Sequence, residues 1–548
     1  MDPLIRRYEA DAGGIERFYR LPFGQTGRNR VDAMNHDWLA RLDAVPYDRL
    51  GLDGRVDYHL LRGEVEYNLR LSPIEQKREG ETLVLLPFAP RIVALEEARG
   101  RLVPVNSEAA AGELAAISEA AKKLQSDLSK GTKPDPALAL RGANALRDLS
   151  GTLARWYAHY SGFKPLFTWW CRKPYEDAKA QLDSYEKRLR EDTAGVRGKD
   201  EDPLLGTPIG RDALLSDLQA ERIAYTPEEL IGFADQEFAW CEEEMKRAAR
   251  DMGMGDDWKA ALAKVKADHA APGEQDDAIA KLAREAIAFV DARNLVTVPE
   301  LCRETWRVDM VSPEGQKFLP FAAYGGQRML VAYAAEAMSN DDKQMSMRGN
   351  NAHFTRIVVP HELIPGHHLQ GFMAQRHRAY RERFSTPFLV EGWSLYWEML
   401  LWDLGYPQTP QDRIGMLFWR MHRCARITVS LGYHLGKMNP QQMVDYLVEK
   451  VGHERFPATS EVRRFISGGY SPLYQCGYMV GGLQLRALYR EKVMTGPNRM
   501  TPKAFHDAVL HQGPIPVDLI RARLTENNLP RQAAPAWRWG LDHSPVRL

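Results

Sequence analysis

His361-Glu362-Leu363-Ile364-Pro365-Gly366-His367-His368 puts three histidines and a glutamate within eight residues. Glu391 follows 24 residues past His367, in Val390-Glu391-Gly392-Trp393-Ser394-Leu395-Tyr396-Trp397-Glu398. Two His ligands, a catalytic Glu beside them and a Glu ligand from the next helix make the pattern of a helical zinc site. The spacing departs from H-E-x-x-H, which sets both histidines one turn apart on one face; here the fifth position is Pro365. On an unbroken helix His361 and His367 stand about 9 Å apart along the axis and about 120° around it. Ring nitrogens sharing one zinc ion approach to about 3.3 Å. Pro365 lacks the N–H that would bond back to the His361 carbonyl, and its ring pushes the helix open. Gly366 tolerates the left-handed conformation of a sharp kink. The expectation is therefore a helix with a two-residue bulge. It would bring His361, a second histidine and Glu391 onto one Zn²⁺ per chain, with Glu362 as the general base.

The chain around this stretch has 548 residues, with Lys+Arg 73 balanced by Asp+Glu 73. Zero formal charge gives no electrostatic case for nucleic acid or an anionic membrane. Lys122-Lys123 and Arg376-His377-Arg378 read as solvated helix faces. Five scattered cysteines, Cys171, Cys241, Cys302, Cys424 and Cys476, never spaced C-x-x-C, argue against a disulfide framework and a thiolate metal site. No apolar run is long enough to span a membrane, and the first residues lack a signal-peptide core. A cytoplasmic protein is the plain reading, or a secreted or lipid-anchored one if a leader has been removed.

Helical periodicity covers most of residues 1–100, then Ala109–Leu128, Pro136–Tyr160 and Pro174–Arg190. Leu83-Val84-Leu85-Leu86-Pro87 reads as strand or buried loop, and Gly195–Gly210 and Asp268–Asp277 as exposed loops. Thr226-Pro227-Glu228-Glu229 is a capping box with proline at the first helical position. Thr409-Pro410, Asn439-Pro440 and Thr501-Pro502 repeat its Thr/Asn-Pro part, so the fold class is mostly α. Val296-Thr297-Val298 and Met329–Tyr333 are β-rich, which predicts a small sheet beside the His cluster. An edge strand there would hold an extended peptide, or the ribbon is simply core.

Gly366-His367-His368-Leu369 resembles the Gly-His-x-Leu that ends the zinc motif of thermostable carboxypeptidases and thimet-type oligopeptidases, whose H-E-x-G-H is two residues shorter. Glu391-x-x-Ser394-x-x-Trp397-Glu398 resembles the second glutamate helix of those carboxypeptidases, and the 24-residue separation fits gluzincins similar to angiotensin-converting enzyme. With H-E-x-x-P-G-H-H and E-G-W-x-L-Y, the chain is identified as a member of a large bacterial family, the domain of unknown function 885. The resemblance implies a large helical gluzincin-like body with a deep cleft, divided into an N-terminal lobe over residues 1–293 that covers the cleft and a zinc-binding lobe over 294–548. It favours His367 over His368 as second ligand, leaving His368 to support a ligand or touch substrate. Glu398, on the face of Glu391, either orients a ligand histidine or makes a structural salt bridge.

The oligopeptidases take an oxyanion donor from a Gly-Tyr-rich helix. Here Gly468–Gly482 offers Tyr478 first and Tyr474 second, which share a helix face at i,i+4. The histidine familiar in that segment is absent. Arg423 and His434 are candidates for a substrate carboxylate or carbonyl, against an amphipathic helix with solvated arginines; His353 is a weaker candidate. The function expected is zinc-dependent hydrolysis of peptide bonds in small peptides. The alternatives are a metal-dependent amidohydrolase or C–N lyase acting on a small metabolite, or a non-catalytic peptide-binding protein. Oligomeric state stays open.

Overall fold

The computed structural model describes residues 1–546 except 20, 132, 200, 201, 317, 318, 496 and 497. It is mostly helical with one three-stranded sheet, and divides into two compact units. The smaller comprises Pro3–Val45 and Val65–Thr207; the larger comprises Met1–Asp2, Pro46–Glu64 and Pro208–Leu548. Residues 208–293, read from sequence as part of the N-terminal lobe, thus cluster with the larger unit.

The smaller unit is built on long helices, Ser107–Lys130, Pro136–Tyr160 and Pro165–Lys187. Their apolar stripes close on Leu146, Leu153, Trp156, Phe167 and Leu182. The third begins nine residues before the expected start, because proline is tolerated inside it at Pro174. Leu85 and Leu86 lie in a buried turn rather than a strand.

In the larger unit all four Thr/Asn-Pro starts open helices, with the N-cap oxygen accepting a backbone N–H at Thr226, Thr409, Asn439 and Thr501. The sheet comprises β1 (Arg307–Met310), β2 (Ala322–Tyr324) and β3 (Arg328–Val331) in the order β1-β3-β2, parallel on one side and antiparallel on the other. Val296-Thr297-Val298 is no strand. The Thr297 N–H goes to the Asp507 carboxylate at 2.8 Å, and the Thr297 hydroxyl to the same group at 2.7 Å. Met329 and Val331 of β3 pack on Val359 and Leu363, which flank His361, so the sheet is anchored beside the His-rich stretch.

Six helices build the site: α1 (Ala352–Glu362), α2 (His367–Ala374), α3 (Pro387–Asp403), α4 (Pro410–His434), α5 (Arg455–Ile466) and α6 (Tyr474–Tyr489). The α3 and α6 backbones touch. A Cβ on Gly392 would stand 2.6 Å from the Gly481 Cα, and one on Gly481 1.9 Å from the Phe388 oxygen. Any larger residue would force the pair apart. Among the described residues no helix is long and apolar enough to cross a membrane. The five cysteines are buried and free.

Candidate metal centre

The His-rich stretch is broken rather than bulged. Helix α1 stops at Glu362, Leu363 leaves the helical region with φ −105° and ψ −107°, and α2 begins at His367. The Ile364–Pro365 peptide is cis. Gly366 is not left-handed, as the kink argument expects; it has φ −79° and ψ −132°. It is needed for closeness instead, since a Cβ there would sit 1.9 Å from the His361 oxygen. The backbone groups freed by the break find other partners. The Ser394 hydroxyl donates to the His361 carbonyl at 3.0 Å, and the Trp393 indole to that of Pro365 at 2.9 Å. Gly366 N–H donates to the Pro360 carbonyl at 2.9 Å. Helix α3 therefore supplies both Glu391 and the groups that hold the break open.

The break brings the His361 and His367 rings to 4.9 Å between centroids at 85°. Glu391 Oε2 lies 3.1 Å from His367 Nε2 and 3.7 Å from His361 Nε2. One donor atom each from His361, His367 and Glu391 falls within a 4.8 Å cluster, all three residues buried. Donors around one tetrahedral zinc stand roughly 3.3 Å apart, and two imidazoles with a carboxylate are an ordinary zinc set. The residues fit the ion.

The surroundings favour positive charge at that point. Burial opposes a charge on His361, yet bonds to Glu391 and Glu398 raise its pKa to about 9. Burial would raise the Glu391 carboxyl, but His367 and His361 hold it well below its ordinary value. Glu398 Oε1 accepts from His361 Nδ1 at 2.6 Å, which turns Nε2 toward the cluster. Tyr474 donates its hydroxyl to the other Glu391 oxygen.

Beside the cluster lies a cavity of about 230 Å³. Glu362 lines it, as do Tyr478 and the whole of β2, an edge strand. The Tyr478 ring stacks on His361 at 6.1 Å and 11°. Tyr474 also borders the cavity, but its hydroxyl is committed to Glu391. His368 faces away: its Nε2 bonds the Cys302 carbonyl at 2.9 Å, and its Nδ1 lies 3.3 Å from the hydroxyl of Tyr324, a cavity residue. His434 is not among the lining residues; it lies eleven residues beyond Arg423 on α4, about 16 Å along the axis. His353 pairs with Asp412 and Asp268 at 2.8 and 2.9 Å, a structural tie.

Helix α4 corrects another expectation. Its Arg420, Arg423 and Arg426 are buried, not solvated. Arg423 and Arg426 line the cavity, joined by Arg464 of α5, which the sequence reading did not single out. The available signal was Ile414–Trp419, six residues without a charge or hydroxyl that cover more than one full turn just before Arg420. A turn apolar on every side is buried, and charges that follow it on the same helix must find partners.

The chain belongs to the family described as "Bacterial protein of unknown function (DUF885)", whose model matches residues 20–524. A structure titled "putative lipoprotein of unknown function", from Shewanella oneidensis, is similar at 16% identity over 95% of this chain and 99% of that one, with a TM-score of 0.68. A "putative lipoprotein" from Colwellia psychrerythraea is similar at 15% identity over 92% and 91%, with a TM-score of 0.59. Both likenesses are of fold. No curated protein matches the chain.

Proposed function

We propose that this protein is a zinc-dependent hydrolase of peptide bonds in small peptides, with His361, His367 and Glu391 as metal ligands. The observation that carries the reading is the convergence of those three side chains beside a cavity lined by Glu362. Zinc held there supplies Lewis-acid polarisation of a carbonyl and a bound water acidified to a pKa of about 7. Glu362 takes a proton from the attacking water and returns it to the leaving amine. Glu398 fixes the His361 tautomer, and Tyr474 holds Glu391 by its second oxygen. Tyr478 is the candidate donor to the tetrahedral oxyanion. The gluzincin resemblance of the two motifs supports the same chemistry. The small cavity favours a second reading, an amidohydrolase or C–N lyase acting on a small metabolite. The lipoprotein titles of the two structural neighbours favour a place outside the cytoplasm, against the plain reading of the sequence.

Metal content by mass spectrometry tests the site. The expected result is about one zinc per chain, lost in His361→Ala and His367→Ala and kept in His368→Ala. A wild type without metal after careful purification overturns it. Glu362→Gln should keep the metal and lose turnover of a peptide library. New peptide termini at the wild-type rate would remove Glu362 from the mechanism, and products only from a metabolite panel would favour the second reading.

A further inference from the structure

We infer that Arg423, Arg426 and Arg464 form a receptor for a carboxylate, so that the cavity takes molecules with a free carboxyl group near the amide to be cut. The inference deepens the hydrolase reading and rests on it for the reaction, though not for the binding. The three arginines come from α4 and α5 and line the same cavity as Glu362 and Glu391. Their side chains are 7, 4 and 15% exposed. Arg423 Nε, Arg426 Nη1 and Arg464 Nε are buried N–H groups with no hydrogen-bond partner among the described residues. A buried guanidinium N–H left unpaired is costly, and a carboxylate is the group that answers two at once.

The protein's own carboxylates do not saturate the trio. Among the described residues, those within ion-pair distance are Glu461 and Glu398. Glu461 is shared by Arg426 at 2.8 Å, Arg464 at 3.5 Å and His422 at 3.3 Å. Glu398 stands 3.7 Å from Arg423, and that same oxygen is already held by His361 at 2.6 Å. The arginines are also fixed in place. The Arg423 and Arg426 guanidinium carbons lie 4.6 and 4.4 Å from the centre of the Tyr478 ring, and that of Arg464 lies 4.7 Å from the Tyr470 ring. A planar monoanion suits this cradle better than a phosphate dianion, which Glu362, Glu391 and Glu461 on the same walls would oppose more strongly. The volume of about 230 Å³ falls below the roughly 300–1,000 Å³ of drug-sized sites, so the ligand is small.

Isothermal titration of zinc-loaded Glu362→Gln with N-acetyl-phenylalanine and with its carboxamide tests the inference. The acid should bind at least tenfold tighter than the amide. Arg423→Gln and Arg464→Gln should each weaken the acid tenfold or more, and the amide less than twofold. Equal binding of acid and amide overturns the receptor and needs no arginine variant; so does an unchanged ratio in variants that keep the wild-type melting temperature. N-acetyl-glutamate α-amide, charged only at its side chain, separates the two sources of carboxylate: binding like the acid assigns the cradle to acidic side chains, and binding like the amide to the chain terminus. If acid is preferred over amide but the wild type cleaves no amide, the receptor stands and the hydrolase reading falls.

Discussion

Two parts of the larger unit bring distant residues together by opposite means. Between α1 and α2 the helix is interrupted, and the freed groups are tied to α3 by Ser394 and Trp393. Between α3 and α6 both helices run on, and the absence of side chains at Gly392 and Gly481 lets them close. The first device moves two histidines six residues apart onto one point; the second sets Glu391 against Tyr474. The break is local and polar, so its failure should cost the metal. The seam is part of the core, so its failure should cost the fold.

Gly481→Ala should have the largest effect. Its Cβ would meet backbone, which cannot rotate away, and a loss above about 4 kcal/mol is expected in urea unfolding. Gly366→Ala makes an equally short contact, with the His361 oxygen. It should abolish zinc in mass spectrometry while the melting temperature falls less than for Gly481→Ala. Equal falls would break the distinction between a local device and a structural one. Glu398→Gln leaves both intact and loosens only the His361 tautomer, so zinc affinity in a chelator competition should drop about 10–100-fold.

A titration sharpens the comparison at the start of α3. The Thr386 hydroxyl, at the N-cap of that helix, donates to half-buried Glu221, whose pKa is pushed up to about 7 mainly by desolvation. The folded-state value is raised, so stability is intact below the ordinary 4.5 and falls as pH rises through 7. Glu221→Gln should therefore gain roughly 2 kcal/mol more in unfolding experiments at pH 8 than at pH 5, from 1.4 kcal/mol per unit. An equal gain at both values would show that the carboxyl ionises normally. Smallest is Ser394→Ala, which orphans the His361 carbonyl for about 1 kcal/mol. It should weaken zinc without altering the pH dependence of stability.

What was legible in the sequence depended on distance along the chain. N-caps are local, and Thr226, Thr409, Asn439 and Thr501 could be read because cap and partner lie within three residues. The His361, His367 and Glu391 cluster was legible as composition and spacing, and so was the impossibility of a straight helix. The way the helix yields was not, because Ser394 and Trp393 decide it from the next helix. Glu398 was left between two roles that its 2.6 Å bond to His361 joins into one. Arg426 and Arg464 were missed for the same reason. Whether an arginine is solvated or buried depends on what covers its helix, and only the three-dimensional packing supplies that.

The bond from Trp393 to the Pro365 carbonyl has one more consequence. An indole whose N–H is pinned to the turn between two prospective ligands will change its emission whenever that turn shifts. Subtracting the Trp393→Phe spectrum removes the background of the other twelve tryptophans. That difference spectrum should report, in solution and without a label, any movement of the turn between His361 and His367.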